Sequence, residues 1–334
     1  MNSLELLPKG FIATYIFIFG LCIGSFLNVA ILRGLSGEEM IKGRSRCPKC
    51  KNQLKWYMNI PLLSYLFLRG KCAYCKCKIS FQYPLVEFIT ATLFLISYLA
   101  FGFSLKTLFM CIFFTLFITM SATDFIETVI IDTHAYILLV AGIIYSYLKL
   151  GDINIIQAII GAIFGFLIFE FMARLGKVFT GCRAFGEGDS LIALGLGAIF
   201  GWKTLLIIIA LSFLIQSLST IPILIKKAFA ENKIKLAISY IIVFISMFAL
   251  LLINQFELIK NEMIYLLIVI FTTILLLWAL KNVIAEIKNK KLDETKTQEE
   301  KFNLMPFGPA LIFAASICIF YLTQIKEWIL GYLQ

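Results

Sequence analysis

The stretch FGEGDSLIALGLGAIFGW, residues 185–202, sets one carboxylate, Asp189, between a glycine-rich turn and an otherwise apolar run. Hydrocarbon cannot solvate a carboxylate, so an ionisable residue at the edge of a membrane segment is a functional-site hypothesis. The alternative is an interfacial helix start, with Asp189 as its N-cap and the glycines as packing residues. The choice turns on whether the run lies in a membrane and whether a second carboxylate meets it.

Composition settles the first point. The chain of 334 residues is 60% hydrophobic and 15% charged, with a mean hydropathy of +0.92. A spanning helix needs about 20 mainly apolar residues. Such runs lie near 11–32, 84–103, 105–123, 133–150, 154–175, 189–203, 204–225, 235–254, 262–280 and 307–324. The expectation is an all-α polytopic membrane protein of about ten transmembrane helices. The first run is as long as a full span and is followed by no small-residue cleavage signature, so it reads as a retained helix.

Cytoplasmic loops carry an excess of Lys and Arg. From Arg33 to Lys78, basic residues far outnumber the acidic pair Glu38 and Glu39, which places this segment inside and the N-terminus outside. Alternation then puts the loops near Asp124, at 176–187, at 226–235 and at 281–301 on the inside as well, and the last three are themselves basic. The net charge of +10 is accounted for by inside loops facing an anionic lipid surface, so no nucleic acid partner is implied. The mixed-sign run 288–301 reads as a solvated loop or frayed helix end.

Between the first two spans lie CPKC, with Cys47 and Cys50, and CAYC, with Cys72 and Cys75. Each pair offers two thiolates from one turn, and four soft sulfurs suit a tetrahedral zinc in a compartment too reducing for disulfides. A segment this short and polar builds little core, so the metal is expected to be structural. Cys77 makes C-x-C with Cys75 and competes for the fourth position. Cys22, Cys111 and Cys318 lie in apolar runs and read as small buried hydrophobes.

Carboxylate partners for Asp189 come from TDFIETVIIDTH, which sets Asp124 and Asp132 at the inner ends of the third and fourth spans. Two aspartates held close together cannot both ionise; sharing a proton, one serves as base toward water and the other as acid. Gly186 and Gly188 are expected to let the backbone turn sharply and let a substrate chain or a partner helix approach Asp189. Gly195, Gly197 and Gly201 suit tight helix packing. His134 is the only histidine, and no G-x-S-x-G elbow accompanies it, so it reads as an interfacial side chain rather than a serine-type base.

These motifs together resemble the prepilin peptidases, or type IV leader peptidases, GxGD intramembrane aspartyl proteases that also N-methylate their products. GSFLNVAILR at 24–33 is similar to the family's first-helix signature, and the cysteine block followed by ISFQYPLVE to its zinc-bearing cytoplasmic domain. DFIETVIID and FGEGDSLIALGLGAIFGW resemble its two aspartate motifs, and MPFGPAL at 305–311 the start of its final helix. The resemblance implies that Asp124 and Asp189 are the catalytic pair, with Asp132, Gly186 and Gly188 on the substrate side. It also implies a zinc held by Cys47, Cys50, Cys72 and Cys75, and S-adenosylmethionine as methyl donor. Ile131 and Leu191 stand where the family usually has Pro and often has Lys.

The expected organisation is a first transmembrane helix at 1–33, a cytoplasmic zinc-binding domain at 34–83 and a transmembrane protease core at 84–228. An inserted hairpin and polar loop at 229–302, without counterpart in the family pattern, precedes a final helix and tail at 303–334. The resemblance implies cleavage of the basic leader of type IV prepilins and pseudopilins at the cytoplasmic face of a bacterial inner membrane. Two alternatives are a peptidase without methyl transfer and a non-catalytic transporter or assembly component. The latter leaves the cysteine block unexplained and lacks an evident internal repeat.

Overall fold

The computed structural model describes residues 9–36, 45–47, 49–180, 183, 185–230 and 306–331, with a few positions between 234 and 282. Most of the expected spans at 235–254 and 262–280, and of the segment 229–302, lies outside the described residues. The elements are α1 (Lys9–Ser36), a 3-10 turn (Trp56–Asn59), α2 (Leu63–Phe67), α3 (Gln82–Phe101), α4 (Leu105–Glu127), α5 (Asp132–Tyr147), α6 (Ile155–Thr180), α7 (Glu187–Ala230) and α8 (Gly308–Gly331). No strand forms among the described residues.

Apolar length explains the long helices, since every backbone polar group in lipid must be satisfied within its own segment. Five helices are long and apolar enough to cross a membrane: Gly10–Ser36, Gln82–Phe101, Leu105–Glu127, Ile155–Val178 and Glu187–Lys226. The 16 residues of α5 reach only about 24 Å, short of a hydrocarbon core of about 30 Å. Among the described residues, the eight expected runs outside the inserted segment are all helical, in five helices of spanning length, of which α7 covers two runs, and in the shorter apolar stretches of α5 and α8.

The longest helix is two limbs. Gly201 breaks α7 with φ 71° and ψ 168°, a conformation that glycine adopts without steric cost. The chain reverses there: a methyl built on Gly165 of α6 would meet both Ala193 and Leu205, and the rings of Phe185 and Phe213 lie 6.0 Å apart. The expected boundary near 203 is thus observed two residues earlier, and Gly201 serves as the turn as well as packing on α6, where a Cβ built on Gly161 would lie 2.7 Å from its Cα. Gly195 and Gly197 do pack as expected. A Cβ on Gly195 would stand 2.6 Å from Leu138 Cδ2, and one on Gly197 would collide with the Gly161 carbonyl and lie 2.8 Å from the Ala162 nitrogen.

With no hydrophobic drive between helices in lipid, such backbone-to-backbone contact holds the bundle. Gly20 and Gly24 do the same for α1, each leaving only 2.6 Å between a built Cβ and the Cα of Ala91 or Glu87 on α3. Gly197→Val is expected to part α6 from α7 and to destabilise the protein by about 3 kcal/mol, measured as a lowered unfolding midpoint in detergent. An unchanged midpoint would mean that α6 and α7 are not held by this contact.

The densest packing lies among α4, α5, α6, α7 and α8, where Phe113, Phe114, Phe117, Leu138, Phe169, Ile192, Leu196, Leu205 and Leu311 are fully buried. Phe114 stacks on Phe320 of α8 at 5.7 Å. Of the cysteines expected to be buried, Cys318 is, Cys111 is half-buried and Cys22 is exposed on α1. A lipid-facing helix side needs no protein cover, so apolar character alone does not place a residue inside such a bundle.

Candidate active site and candidate metal centre

The cysteine segment is built from two matching turns. Bridges from Arg46 to Gln53 and from Lys71 to Lys78 close them. The Lys51 amide donates to the Cys47 carbonyl (2.9 Å) and the Lys76 amide to the Cys72 carbonyl (3.0 Å). Both lysines have positive φ, 60° and 58°, uncommon for a side-chain-bearing residue. The Cys47 amide then donates to Asn52 O, and the Cys72 amide to Cys77 O, at 3.0 and 2.8 Å. Cys77 therefore occupies in the second turn the place that Asn52 holds in the first.

The sulfurs of Cys47, Cys50, Cys72 and Cys75 lie within 4.8 Å of one another. Zinc–sulfur bonds of about 2.3 Å put tetrahedral sulfurs about 3.8 Å apart, and Cys47 is 3.9 Å from Cys75. Cys77 stands 3.7 Å from Cys47 and 3.2 Å from Cys75, so distance alone does not separate it from the other four. Backbone amides favour two of the thiolates. The Cys50 amide, followed by that of Lys49, brings Cys47 down to about 6 against the cost of burial. The Cys77 amide likewise lowers Cys75. The Cys75 sulfur beside it, and then burial, push Cys77 up to about 12. The donor set fits a soft divalent metal.

The segment is anchored to the helices by a buried carboxylate that sequence reasoning passed over. Glu87 on α3 accepts the Leu62 amide at 2.8 Å, just where Leu62 takes a positive φ of 58° to open α2. Asn28 of α1 donates to the Tyr83 carbonyl at 3.0 Å. A carboxylate inside an apolar helix was the available signal, by the reasoning applied to Asp189.

Asp124 and Asp189 are both buried, at 6% and 7% exposure, which distinguishes them from Asp132, exposed in the first turn of α5. Asp124 lies in the last turn of α4; its carbonyl accepts the amide of Thr128, whose left-handed φ of 54° ends the helix. Asp189 lies in the first turn of α7, one turn before Ile192, whose Cδ1 and Asp124 Oδ2 both lie against Gly308. Its Oδ2 accepts the Gly186 amide at 3.1 Å. Asp124 Oδ2 is buried without a hydrogen-bond partner. A Cβ on Gly308, the first residue of α8, would collide with that oxygen and lie 3.1 Å from Ile192 Cδ1, one turn beyond Asp189. Three helix ends therefore close around the carboxyl pair.

The two motif glycines differ in use. Neither adopts the left-handed backbone expected of a sharp glycine turn, which among the described glycines occurs at Gly70, Gly102 and Gly201. Gly188 provides the close approach: a Cβ there would lie 2.6 Å from Ile130 Cδ1, in the loop that follows Asp124. Gly186 contributes its amide. The segment before it is tied down by Arg183, which donates to Glu170 on α6 and to Glu187, both at 2.7 Å. Glu170 and Gly308 were also missed by sequence reasoning; the former is another carboxylate in an apolar run, while nothing local distinguishes the latter.

The candidate site is thus a buried carboxyl pair at three helix ends, with a four-thiol cluster between the first helices. Residues 18–101 match the bacterial peptidase A24 N-terminal domain, and residues 111–221 match the type IV leader peptidase family. The chain is 38% identical over 195 residues to a prepilin leader peptidase/N-methyltransferase of Myxococcus xanthus, covering 58% of each protein. It is 32% identical to the protein of that name from Neisseria gonorrhoeae, covering 63% of this chain and 82% of the other. For the Pseudomonas aeruginosa protein of the same name the figures are 34%, 63% and 80%. The chain belongs to the type IV leader peptidase family. No solved structure matches it.

Proposed function

We propose that this protein is a prepilin leader peptidase and N-methyltransferase of a bacterial inner membrane, cleaving the basic leader of type IV prepilins and pseudopilins at the cytoplasmic face. The observation that carries the reading is the burial of Asp124 and Asp189 where the ends of α4, α7 and α8 meet, in a chain whose relatives bear that name. In this mechanism the pair shares one proton. One carboxylate removes a proton from the attacking water while the other protonates the scissile carbonyl oxygen, and the roles reverse as the tetrahedral intermediate collapses. The Gly186 amide holds Asp189 in place, and Gly308 keeps α8 against Asp124.

Gly188, and Asp132 at the exposed rim, are placed on the substrate side in this reading. The inserted segment 229–302 is peripheral to the chemistry. The N-terminus lies outside, and the cysteine segment and both aspartates face the cytoplasm, where Lys and Arg collect. S-adenosylmethionine supplies the methyl group for the new N-terminus. No glycine-rich nucleotide-binding loop occurs in the sequence, so no step of methyl transfer is assigned to named residues. The test is to incubate the purified protein with a full-length prepilin and S-adenosylmethionine. The expected product, read by mass spectrometry, lacks the leader and carries one N-terminal methyl; an intact prepilin would overturn the reading.

The metal in this reading is one structural zinc on Cys47, Cys50, Cys72 and Cys75. The matched turns favour these four, because Cys77 corresponds to Asn52 and not to a ligand position. Cys47→Ser with Cys72→Ser is expected to reduce zinc from about one per chain to background and to open residues 45–80 to protease, since such metal binding is folding energy. Cys77→Ser is expected to keep the zinc, and metal analysis of both variants decides the ligand set.

A further inference from the structure

Beside the carboxyl pair lies a cavity of about 290 Å³ lined by Phe213, Gln216, Ser217, Thr220, Ile221 and Phe307. Its place in the bundle follows from the reversal at Gly201. The second limb of α7 runs back past the first, and Phe213 comes level with Phe185, just ahead of Asp189. Continuing from Phe213 to Ile221 therefore leads away from the aspartates, toward the side on which α7 and α8 begin. Phe307 is shared: its ring lies 5.1 Å from Phe213 and 5.2 Å from Phe185, and the next residue, Gly308, packs on Asp124. The cavity is thus continuous with the carboxyl pair through one residue.

Its lining is unusual for a membrane helix. Gln216, Ser217 and Thr220 set a polar stripe on one face of the second limb of α7, with Phe213 and Ile221 at its two ends and Phe307 as the wall from outside that helix. Pro222 sits within the same helix. Having no N–H, it denies the Leu218 carbonyl its regular i+4 donor and leaves an acceptor beside the stripe. Helical peptide groups satisfy themselves, but a peptide stretched for hydrolysis does not, and in a membrane its freed amides and carbonyls need protein partners. From Gln216 to Thr220 the limb rises about 6 Å, the length of about two extended residues.

We propose that this groove holds, in extended form, the two or so substrate residues immediately preceding the scissile bond. Gln216 and Ser217 side chains and the Leu218 carbonyl bond the substrate backbone, and the contacting rings of Phe213 and Phe307 close the end of the groove nearer the aspartates. The assignment rests on the peptidase reading above. It also sets the direction of the bound chain: the leader enters over Ile221 and leads past Phe213 to the aspartates, and the apolar helix of the substrate continues beyond them.

Two measurements test this on the full-length, zinc-bearing protein with a full-length prepilin. The double variant Gln216→Leu, Ser217→Ala is expected to raise KM about 30-fold, the loss of two hydrogen bonds, with kcat changed by less than about threefold. Gln216→Leu with Ser217→Thr should recover part of that loss. A KM at the wild-type value would overturn the proposal. In the second, a photo-reactive residue replaces Ser217 in an Asp124→Asn background, which keeps the substrate uncut. Cross-links to the last leader residues are expected. Cross-links confined to the substrate's apolar helix, or none where a probe at exposed Ile163 gives none either, would overturn it. Failure of the wild-type protein to cut the prepilin would instead remove the peptidase reading, so the two failures are distinct.

Discussion

Asp124→Asn and Asp189→Asn are each expected to lower prepilin cleavage by about 10⁴-fold or more, with the protein still inserted and still carrying its metal. The size follows from the shared proton. Each carboxyl supplies a protonation state that its partner cannot take on alone, so groups acting as a unit lose nearly everything with either member. Amide replacements preserve the volume of two side chains that are almost wholly enclosed, which makes collapse of the bundle a poor explanation for lost activity. Asp132→Asn is the comparison. Exposed at the start of α5, it should retain cleavage within about tenfold. Single-turnover cleavage in detergent, with zinc content measured alongside, checks all three. If Asp132→Asn abolished cleavage and Asp124→Asn retained it, the reacting carboxyl on this side of the site would have been misassigned.

The second large effect is expected at a residue with no reacting group. Gly308→Ala places a methyl where Asp124 Oδ2 now lies and 3.1 Å from Ile192. Ile192 is fully buried in the core, so room for the methyl must come from the buried Asp124 side chain or from α8 itself. The carboxyl or α8 must shift. A displacement of about 1 Å at a reacting group can cost about 100-fold in rate, and the overpacking itself costs about 1–3 kcal/mol. The loss should appear mainly in kcat, with KM altered less, because the polar residues of the substrate groove, Gln216, Ser217 and Thr220, lie on α7 and not on α8. A wild-type kcat for Gly308→Ala would show that α8 can move away from Asp124 without consequence for the reaction.

Local features of the sequence anticipated much of this arrangement. Apolar runs of spanning length mark α1, α3, α4, α6 and α7, because lipid forces each segment to satisfy its own backbone. The two cysteine pairs are readable because each turn is closed within a few residues. Asp124 and Asp189 stand out because a charge in an apolar setting is costly wherever it falls. What was not legible depends on contacts between distant segments. Gly308 meets Asp124 across 184 positions of sequence, and the tie from Arg183 to Glu170 joins two elements. Gly201 looks like any other small residue in a glycine-rich helix until the chain is seen to reverse there. Its left-handed backbone is a property of the turn, not of the letter. Gly186, conversely, invited a conformational explanation, while its observed contribution is one amide directed at Asp189.

The reversal at Gly201 acts as a caliper. Asp189 stands 12 residues before it on one limb and Phe213 stands 12 after it on the other, so the register between the proton-transfer centre and the groove wall is set by counting outward from a single turn. Each added or deleted residue in either limb rotates everything beyond it by about 100°. One insertion between Gly201 and Phe213 would therefore swing Gln216 and Ser217 off the groove without touching either aspartate. Such a protein would keep its chemistry and lose its aim. The spacing from Asp189 through Gly201 to Ser217 is thus a measured length, and in any chain built on this plan it should tolerate substitution far more readily than a change in number.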